Sequence, residues 1–203
     1  MGVLTTFHPT KRLLVDTTSK LMDVKAPEDI SVDEVLQISG VSKGSMYHHF
    51  EDLSELIETA QIARYSHWVD ISIVNMTDVV RSAVTKDDLY KSLSAVTQNT
   101  QSAKRRSSRI ERAAALSRRN ASPRYIEMLG KESDRLAEGI ADLAREAQEK
   151  GLFTKSLSSY AIALFVQAYT LGKIVDDYSF KPVPDEEWNE LIMSVIKNVF
   201  MAD

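Results

Sequence analysis

Along nearly the whole chain, apolar residues recur at three- and four-residue steps, and strand-like alternation is nearly absent. That period lines apolar side chains along one face of a helix, whereas a strand needs a period of two. Glycine (7) and proline (5) are scarce in the 203 residues, so little interrupts the pattern. The punctuation that matters is Pro27, Gly40, Pro123, Gly151 and Pro182-Val183-Pro184. The expected fold is all-α: an N-terminal three-helix head over 1–50 and a larger helical body over 51–203, about nine helices in total.

Capping residues sharpen the boundaries. A first amphipathic helix over 10–24 carries Leu13, Leu14, Thr17, Leu21 and Val24 near one stripe and is closed by Pro27. Ser31 with Glu34 three residues on is a capping box for a helix over 32–38, stopped near Gly40. Ser42 caps a helix over 43–49, and another starts near Asp52 with Leu53, Leu56, Ile57, Ala60 and Ala63 down one face. Thr85 with Asp88 opens a helix over 86–101. The arginine-rich stretch 104–119 is expected to be helical. Ser122-Pro123 pairs an N-cap with proline at the first helical position. The helix it opens carries Tyr125, Leu129, Leu136, Ile140, Leu143 and Ala147 and ends at Gly151. The last two helices are expected over 156–178 and from Asp185 to about 201.

Those last two helices are apolar on more than one face. Leu157, Ala161, Leu164, Ala168, Leu171 and Val175 form one stripe, and Ile162, Phe165, Tyr169 and Gly172 a second. The final helix has Trp188, Leu191, Ile192, Val195 and Val199 on one side and Met193, Ile196 and Phe200 on another. One stripe suffices for a surface helix, and a second needs its own cover. A two-fold homodimer interface built on Leu157, Ala161, Leu164, Ala168, Leu171, Val175, Trp188, Leu191, Ile192, Val195 and Val199 is the expectation; the competing reading has both helices central in the body.

The stretch "ISVDEVLQISGVSKGSMYHHFEDLSELI" (Ile30–Ile57) has two short helices about four residues apart, with Gly40 at the bend, which is helix-turn-helix spacing. Val32, Val35, Leu36, Val41, Met46 and Phe50 are placed to bury against the first helix. Lys43, Ser45, Tyr47, His48 and His49 are left for the outer surface. This stretch resembles the helix-turn-helix of the TetR family of transcriptional regulators, most densely over "GVSKGSMYHHF" (Gly40–Phe50). The motif-level likeness covers roughly residues 10–57; beyond it the likeness is architectural. The resemblance implies a dimeric, usually repressing, DNA-binding protein whose body binds a small effector. By position it implies that Ser42 caps the recognition helix, and that Lys43 and Ser45 enter or border the major groove. Tyr47 and His48 then lie against the backbone and nearby bases, and the helix start at Ser31 points N–H groups at a phosphate. Two copies on a two-fold axis imply a palindromic double-stranded operator.

Two departures weaken the expected grip. The family usually carries a lysine where this chain has Leu53. Residues 1–60 hold five basic groups (Lys11, Arg12, Lys20, Lys25, Lys43) against ten acids, and Arg12 is their only arginine. Bidentate reading of guanine is therefore nearly unavailable there. These departures keep an alternative open: a helical ligand- or partner-binding protein whose head no longer binds DNA specifically.

The positive charge lies instead in residues 104–124, with eight basic groups against Glu111 alone. Arg105, Arg109 and Arg112, at i, i+4 and i+7, share a helical face. Such a face is either a solvated surface that balances acids on neighbouring helices, an anion site for an effector carboxylate, phosphate or acyl-coenzyme A ester, or a further DNA contact. Trp68, Ile71, Phe165 and Tyr169 are candidate walls of an effector cavity, or plain core.

His48 and His49 are adjacent, about 100° apart on a helix, and so lack the i, i+4 pairing of a helical metal site. His8 and His67 are remote in sequence, and no metal or cofactor is expected. No Gly-rich phosphate loop, nucleophile elbow or Glu-x-x-His pair appears, so an enzyme is not expected. There is no cysteine. Nor does any apolar run reach membrane-spanning length, and no leader opens the chain, so the expected location is cytoplasmic, with no membrane partner.

Overall fold

The structure is a computed structural model that describes residues 7–119 and 121–202. In chain order its helices are α1 Pro9–Leu21, α2 Val32–Ser39, α3 Lys43–His49, α4 Leu53–Ser82 and α5 Lys86–Gln101. They continue with α6 Arg106–Leu116, α7 Pro123–Glu149, α8 Ser159–Gly172, α9 Ile174–Asp177 and α10 Asp185–Val195. Tighter turns at Pro27–Asp29 and Ala103–Arg105 and a π turn at Ile196–Phe200 complete them, and the described residues contain no strand.

Most of the capping chemistry is as expected. The Ser42 hydroxyl accepts from Ser45 N–H at 3.2 Å, and Thr85 and Asp88 form both halves of a capping box. Ser122 Oγ accepts from Tyr125 N–H at 3.1 Å at the start of α7. Gly40 closes α2 with φ of 67°, and Gly151 follows α7 with φ of 72°. Both sit in the left-handed region that costs glycine least.

Four expectations are corrected. Only half of the Ser31–Glu34 box forms: Ser31 Oγ accepts from Glu34 N–H, but the Glu34 carboxylate turns to Lys25 at 2.6 Å. The first helix ends at Leu21 rather than 24, and Val24 beyond it is exposed; Leu13, within it, is exposed too, and its buried residues are Leu14, Val15, Thr17, Thr18 and Leu21. The arginine-rich helix starts only at Arg106, because the extended backbone of Ser102 and the turn over Ala103–Arg105 precede it. The helix expected over 156–178 is split at Gly172-Lys173, where the buried Lys173 side chain turns to Asp176 at 2.7 Å.

Two compact units divide the chain. The first comprises residues 1–70 and 119–132, and the second comprises 71–118 and 133–203. The first unit's core is Leu14, Val15, Leu21, Ile30, Val35, Met46, Phe50, Leu56, Ile57, Ala60 and Ala63. The start of α4 thus supplies apolar cover for α1–α3. The second unit's core gathers Val80, Leu89, Leu93, Leu143, Phe153, Ile162, Ile192, Met193, Ile196 and Phe200 from α4, α5, α7, α8 and α10, the loop after α7 and the final π turn. Gly139 is needed here: a Cβ on it would lie 2.9 Å from Ile73 Cδ1.

Candidate functional site

In the first unit the helix-turn-helix is mounted from inside. Met46 is 0% exposed and Phe50 2% exposed, and together they fix the inner face of α3 to the core. A fully buried side chain of this size contributes about 2 kcal/mol. With Met46 inward, the period of the helix turns Lys43, Tyr47 and His48 outward, and all three are exposed; Ser45 and His49 are half-buried. Ser31 and Ser42 are exposed, with each hydroxyl used to cap a helix. Ser31, Ser42, Lys43, Ser45, Tyr47 and His48 therefore all belong to α2, α3 or their caps.

Acidity by count overstates acidity in space. Glu34 pairs with Lys25 and Asp23 with Arg64, each at 2.6 Å; Asp16 pairs with Arg12 at 3.7 Å, and Glu55 with Arg124. Glu58 accepts hydrogen bonds from the backbone N–H and hydroxyl of Ser122. Arg64 and Arg124 lie beyond residue 60, so a count that stops there misses them. Lys43, by contrast, makes no ion pair among the described residues, which leaves its charge available. Leu53 packs against the unit's core.

Trp68 also belongs to this unit, half-buried, with its ring 5.6 Å from that of Tyr65. Glu58, Thr59, Ile62, Arg124, Tyr125 and Met128 line a shallow depression too small to hold a water molecule, and none of the expected effector residues is among them. Among the described residues no group of three or more His, Cys, Asp or Glu is arranged to hold a metal ion.

In the second unit the expected arginine face is not one face. Arg105 is exposed on the turn before α6, while Arg109 is 0% and Arg112 9% exposed. Arg109 and Arg112 are therefore not solvated, but Arg109 does balance an acid on a neighbouring helix. Arg109 donates from Nε and from a terminal nitrogen to the two oxygens of Asp177, each at 2.6 Å. Its other terminal nitrogen donates to the carbonyls of Thr100 and Ser102 at 3.0 and 3.2 Å. Four hydrogen bonds thus hold this guanidinium, as a buried charge requires.

Four positions before Asp177, Lys173 is 3% exposed, 3.8 Å from Asp185, and its ammonium sits 5.2 Å from the Trp188 ring centroid. Asp176 accepts from Lys173 and from Val183 N–H, which hold its carboxyl below the usual range. Trp188 Nε1 donates to Gln101 Oε1 at 3.1 Å; Gln101 Nε2 finds no partner among the described residues. Neither Lys173 nor Gln101 stood out in the sequence, because a lone lysine and glutamine in helices read as surface.

Of the remaining effector candidates, Phe165 and Tyr169 meet, with ring centroids 5.6 Å apart. Ile71 is exposed, and Phe165 is 40% exposed with its ring edge-on to Phe200 at 5.6 Å. Tyr169 packs against the second unit's core, where burial pushes its phenol up while Thr97 and Thr170 oppose the shift.

The expected interface residues also divide. Ala161, Leu164, Ala168, Val175, Leu191 and Val199 are exposed, with Leu171 and Val195 half-buried. Leu157 and Trp188 instead pack against the unit's own core, and Ile192 is 4% exposed within it. The heptad-like spacing mixed the two sides because α8 and α10 are apolar on both.

No family model matches the sequence, and no curated protein matches it. Solved structures do. A Mesorhizobium loti protein assigned as a TetR-family transcriptional regulator superposes with a TM-score of 0.71 at 14% identity, over 94% of this chain and 96% of that one. The chain has the TetR-regulator fold. Escherichia coli NemR in its reduced form shares it, with a TM-score of 0.66 at 17% identity over 97% of this chain and all of NemR. So does a transcriptional regulator from Saccharomonospora viridis solved in complex with choline, with a TM-score of 0.64 at 14% identity over 94% and 96% of the two chains. Within the TetR fold, α3 corresponds in chain order to the helix that the sequence resemblance assigns to recognition. No helix among the described residues is long and apolar enough to cross a membrane.

Proposed function

We propose that this chain is a ligand-responsive transcriptional regulator of the TetR type. In this reading it binds a palindromic double-stranded operator as a homodimer, in the cytoplasm, and represses until a small effector releases it. The observation that carries the reading is α3: a capped helix anchored by Met46 and Phe50, presenting Lys43, Tyr47 and His48 outward with no acid of its own. Lys43, Ser45, Tyr47 and His48 supply the groove and backbone contacts, and the helix starts at Ser31 and Ser42 supply N–H groups to phosphate. Homodimerisation is supported by the exposed apolar side chains Leu164, Ala168, Val175, Leu191 and Val199, since a surface of this kind favours a partner.

Release follows from differential affinity: the effector binds better to a conformer that fits the operator poorly. An anionic effector is favoured by the buried Arg109, whose guanidinium a ligand carboxylate or phosphate engages by taking the place of Asp177. Phe165, Tyr169 and Ile71, of the same unit as Arg109, are the apolar residues proposed to meet the rest of the effector. The complex of the Saccharomonospora viridis protein with choline supports an effector of small-molecule size.

The alternative, a helical ligand- or partner-binding protein without specific DNA binding, is supported by Leu53 and by the shortage of arginine in the head. An electrophoretic shift with the region upstream of the chain's own gene separates them. The regulator reading expects a sequence-specific complex that weakens steeply with salt; its absence favours the alternative.

A further inference from the structure

Three imidazoles meet at the end of α3. The His8 ring stacks on His49 with centroids 5.2 Å apart and planes 30° apart, and His48 meets His49 edge-on at 5.2 Å. His48 and His49 are the last two residues of α3, and His8 is the N-cap of α1. His8 and His48 are exposed and His49 is half-buried. In sequence, His8 and His48 are 40 positions apart. Folding closes that distance, and only His48 is used by the DNA-contact assignment.

The groups acting on His49 are all basic. Partial burial, then His48, His8 and Lys11, hold its imidazole below the usual range. Lys11 lies on α1 with its ammonium 4.8 Å from the Phe50 ring centroid, and is itself held down by burial and by Arg124 of α7. One local effect competes with this. The carbonyl end of α3 favours cations at His48 and His49. At His8, Nδ1 accepts from Thr10 N–H at 3.3 Å and so caps α1. In the free protein, then, imidazolium is crowded by other positive charge, with no acid in the set to relieve it.

We infer that the His8–His48–His49 cluster makes DNA binding take up protons, so that the duplex is held more tightly as pH falls. This rests on the DNA-binding reading above. A phosphate brought beside the cluster supplies the missing negative charge, so the bound state holds imidazole protons more strongly than the free state. The state with the higher proton affinity gains as pH falls, through the range of roughly pH 8 to 6 where histidine titrates. The contact is to the backbone, so the gain applies to any sequence the protein binds.

The test is fluorescence anisotropy with two labelled duplexes, the gene's upstream region and a random sequence, at about 50 mM salt from about pH 8.5 to pH 6. Binding to both should tighten by about fivefold at the acid end, the factor expected if phosphate raises the cluster's titration by about one pH unit. His49→Gln should bind like the parent at pH 8.5 and lose most of the gain. His8→Asn keeps an N-cap acceptor and removes a positive neighbour, so it should move the midpoint of the gain to higher pH. General titration of the protein persists in both variants and is thereby subtracted. Affinity that is flat with pH, or a gain unchanged in His49→Gln, overturns the inference and leaves the regulator reading standing. If neither duplex binds at any pH, both fall.

Discussion

Arg109 and Asp177 lie 68 positions apart and hold each other through two hydrogen bonds of 2.6 Å, with side chains only 0% and 7% exposed. The pair ties α6 to α9, the single turn that follows the break at Lys173. Removing one partner strands a buried charge, which costs about 3–5 kcal/mol, whereas replacing both with apolar groups costs far less. Arg109→Met and Asp177→Leu should each lower the urea midpoint strongly, and the double variant should recover much of the loss. Additive losses in the double variant would show that the two side chains act independently.

The outer face of α3 should be separable from its inner face. Lys43→Ala and Tyr47→Ala should weaken operator binding while changing stability by less than about 0.5 kcal/mol, as exposed substitutions do. Lys43→Ala should also reduce the salt dependence by roughly one phosphate contact. Met46→Ala should instead destabilise the protein by about 2–5 kcal/mol. Thermal unfolding beside binding titrations separates the two classes; parental binding by both outer variants would move the recognition surface elsewhere.

The uncovered apolar side chains of α8 and α10 should govern association. Leu164→Glu combined with Leu191→Glu places charges where both native side chains are about half exposed (48% and 55%). Sedimentation should report a monomer with a parental circular dichroism spectrum. A dimer that survives both changes would assign the interface to another surface.

Acid should loosen the second unit. The hydrogen bond from Lys173, then that from Val183 N–H, lowers the Asp176 pKa, and the Thr85 hydroxyl and backbone N–H lower that of Asp88. Folded carboxylates with depressed pKa values bind protons less readily than unfolded ones. Their contribution is therefore present above the unfolded value, about pH 4, and is lost as pH falls through the folded value. Asp176→Asn should flatten the decline of stability below about pH 4; an unchanged acid profile would count against this role.

Much of the architecture was legible before folding, and for local reasons. Capping serines, Gly40, Pro123 and Gly151 act within a few residues, so their signals survive in one dimension. The head's inner residues Val35, Met46 and Phe50 followed from helical period alone. What failed was decided by contacts distant in sequence. Arg109 read as one of a row of surface arginines because Asp177, which buries it, is on another helix. Lys173 and Gln101 gave no signal, since their burial depends on Trp188 and Asp185. Leu157, Trp188 and Ile192 were grouped with interface residues because two apolar stripes on one helix cannot be ranked inward or outward without the neighbours. The acidity of the head was overstated because Arg64 and Arg124, which neutralise Asp23 and Glu55, come from later in the chain.

The central claim is that α3 reads DNA as one of a two-fold pair. Nuclease footprinting of the region upstream of the chain's own gene, with the parent protein and Lys43→Ala, tests it most directly. The account predicts a protected inverted repeat whose half-sites are about one helical turn, or a multiple of it, apart, with protection lost on raising salt and weakened in Lys43→Ala. Uniform cleavage at every protein concentration, or protection indifferent to Lys43→Ala, would contradict it.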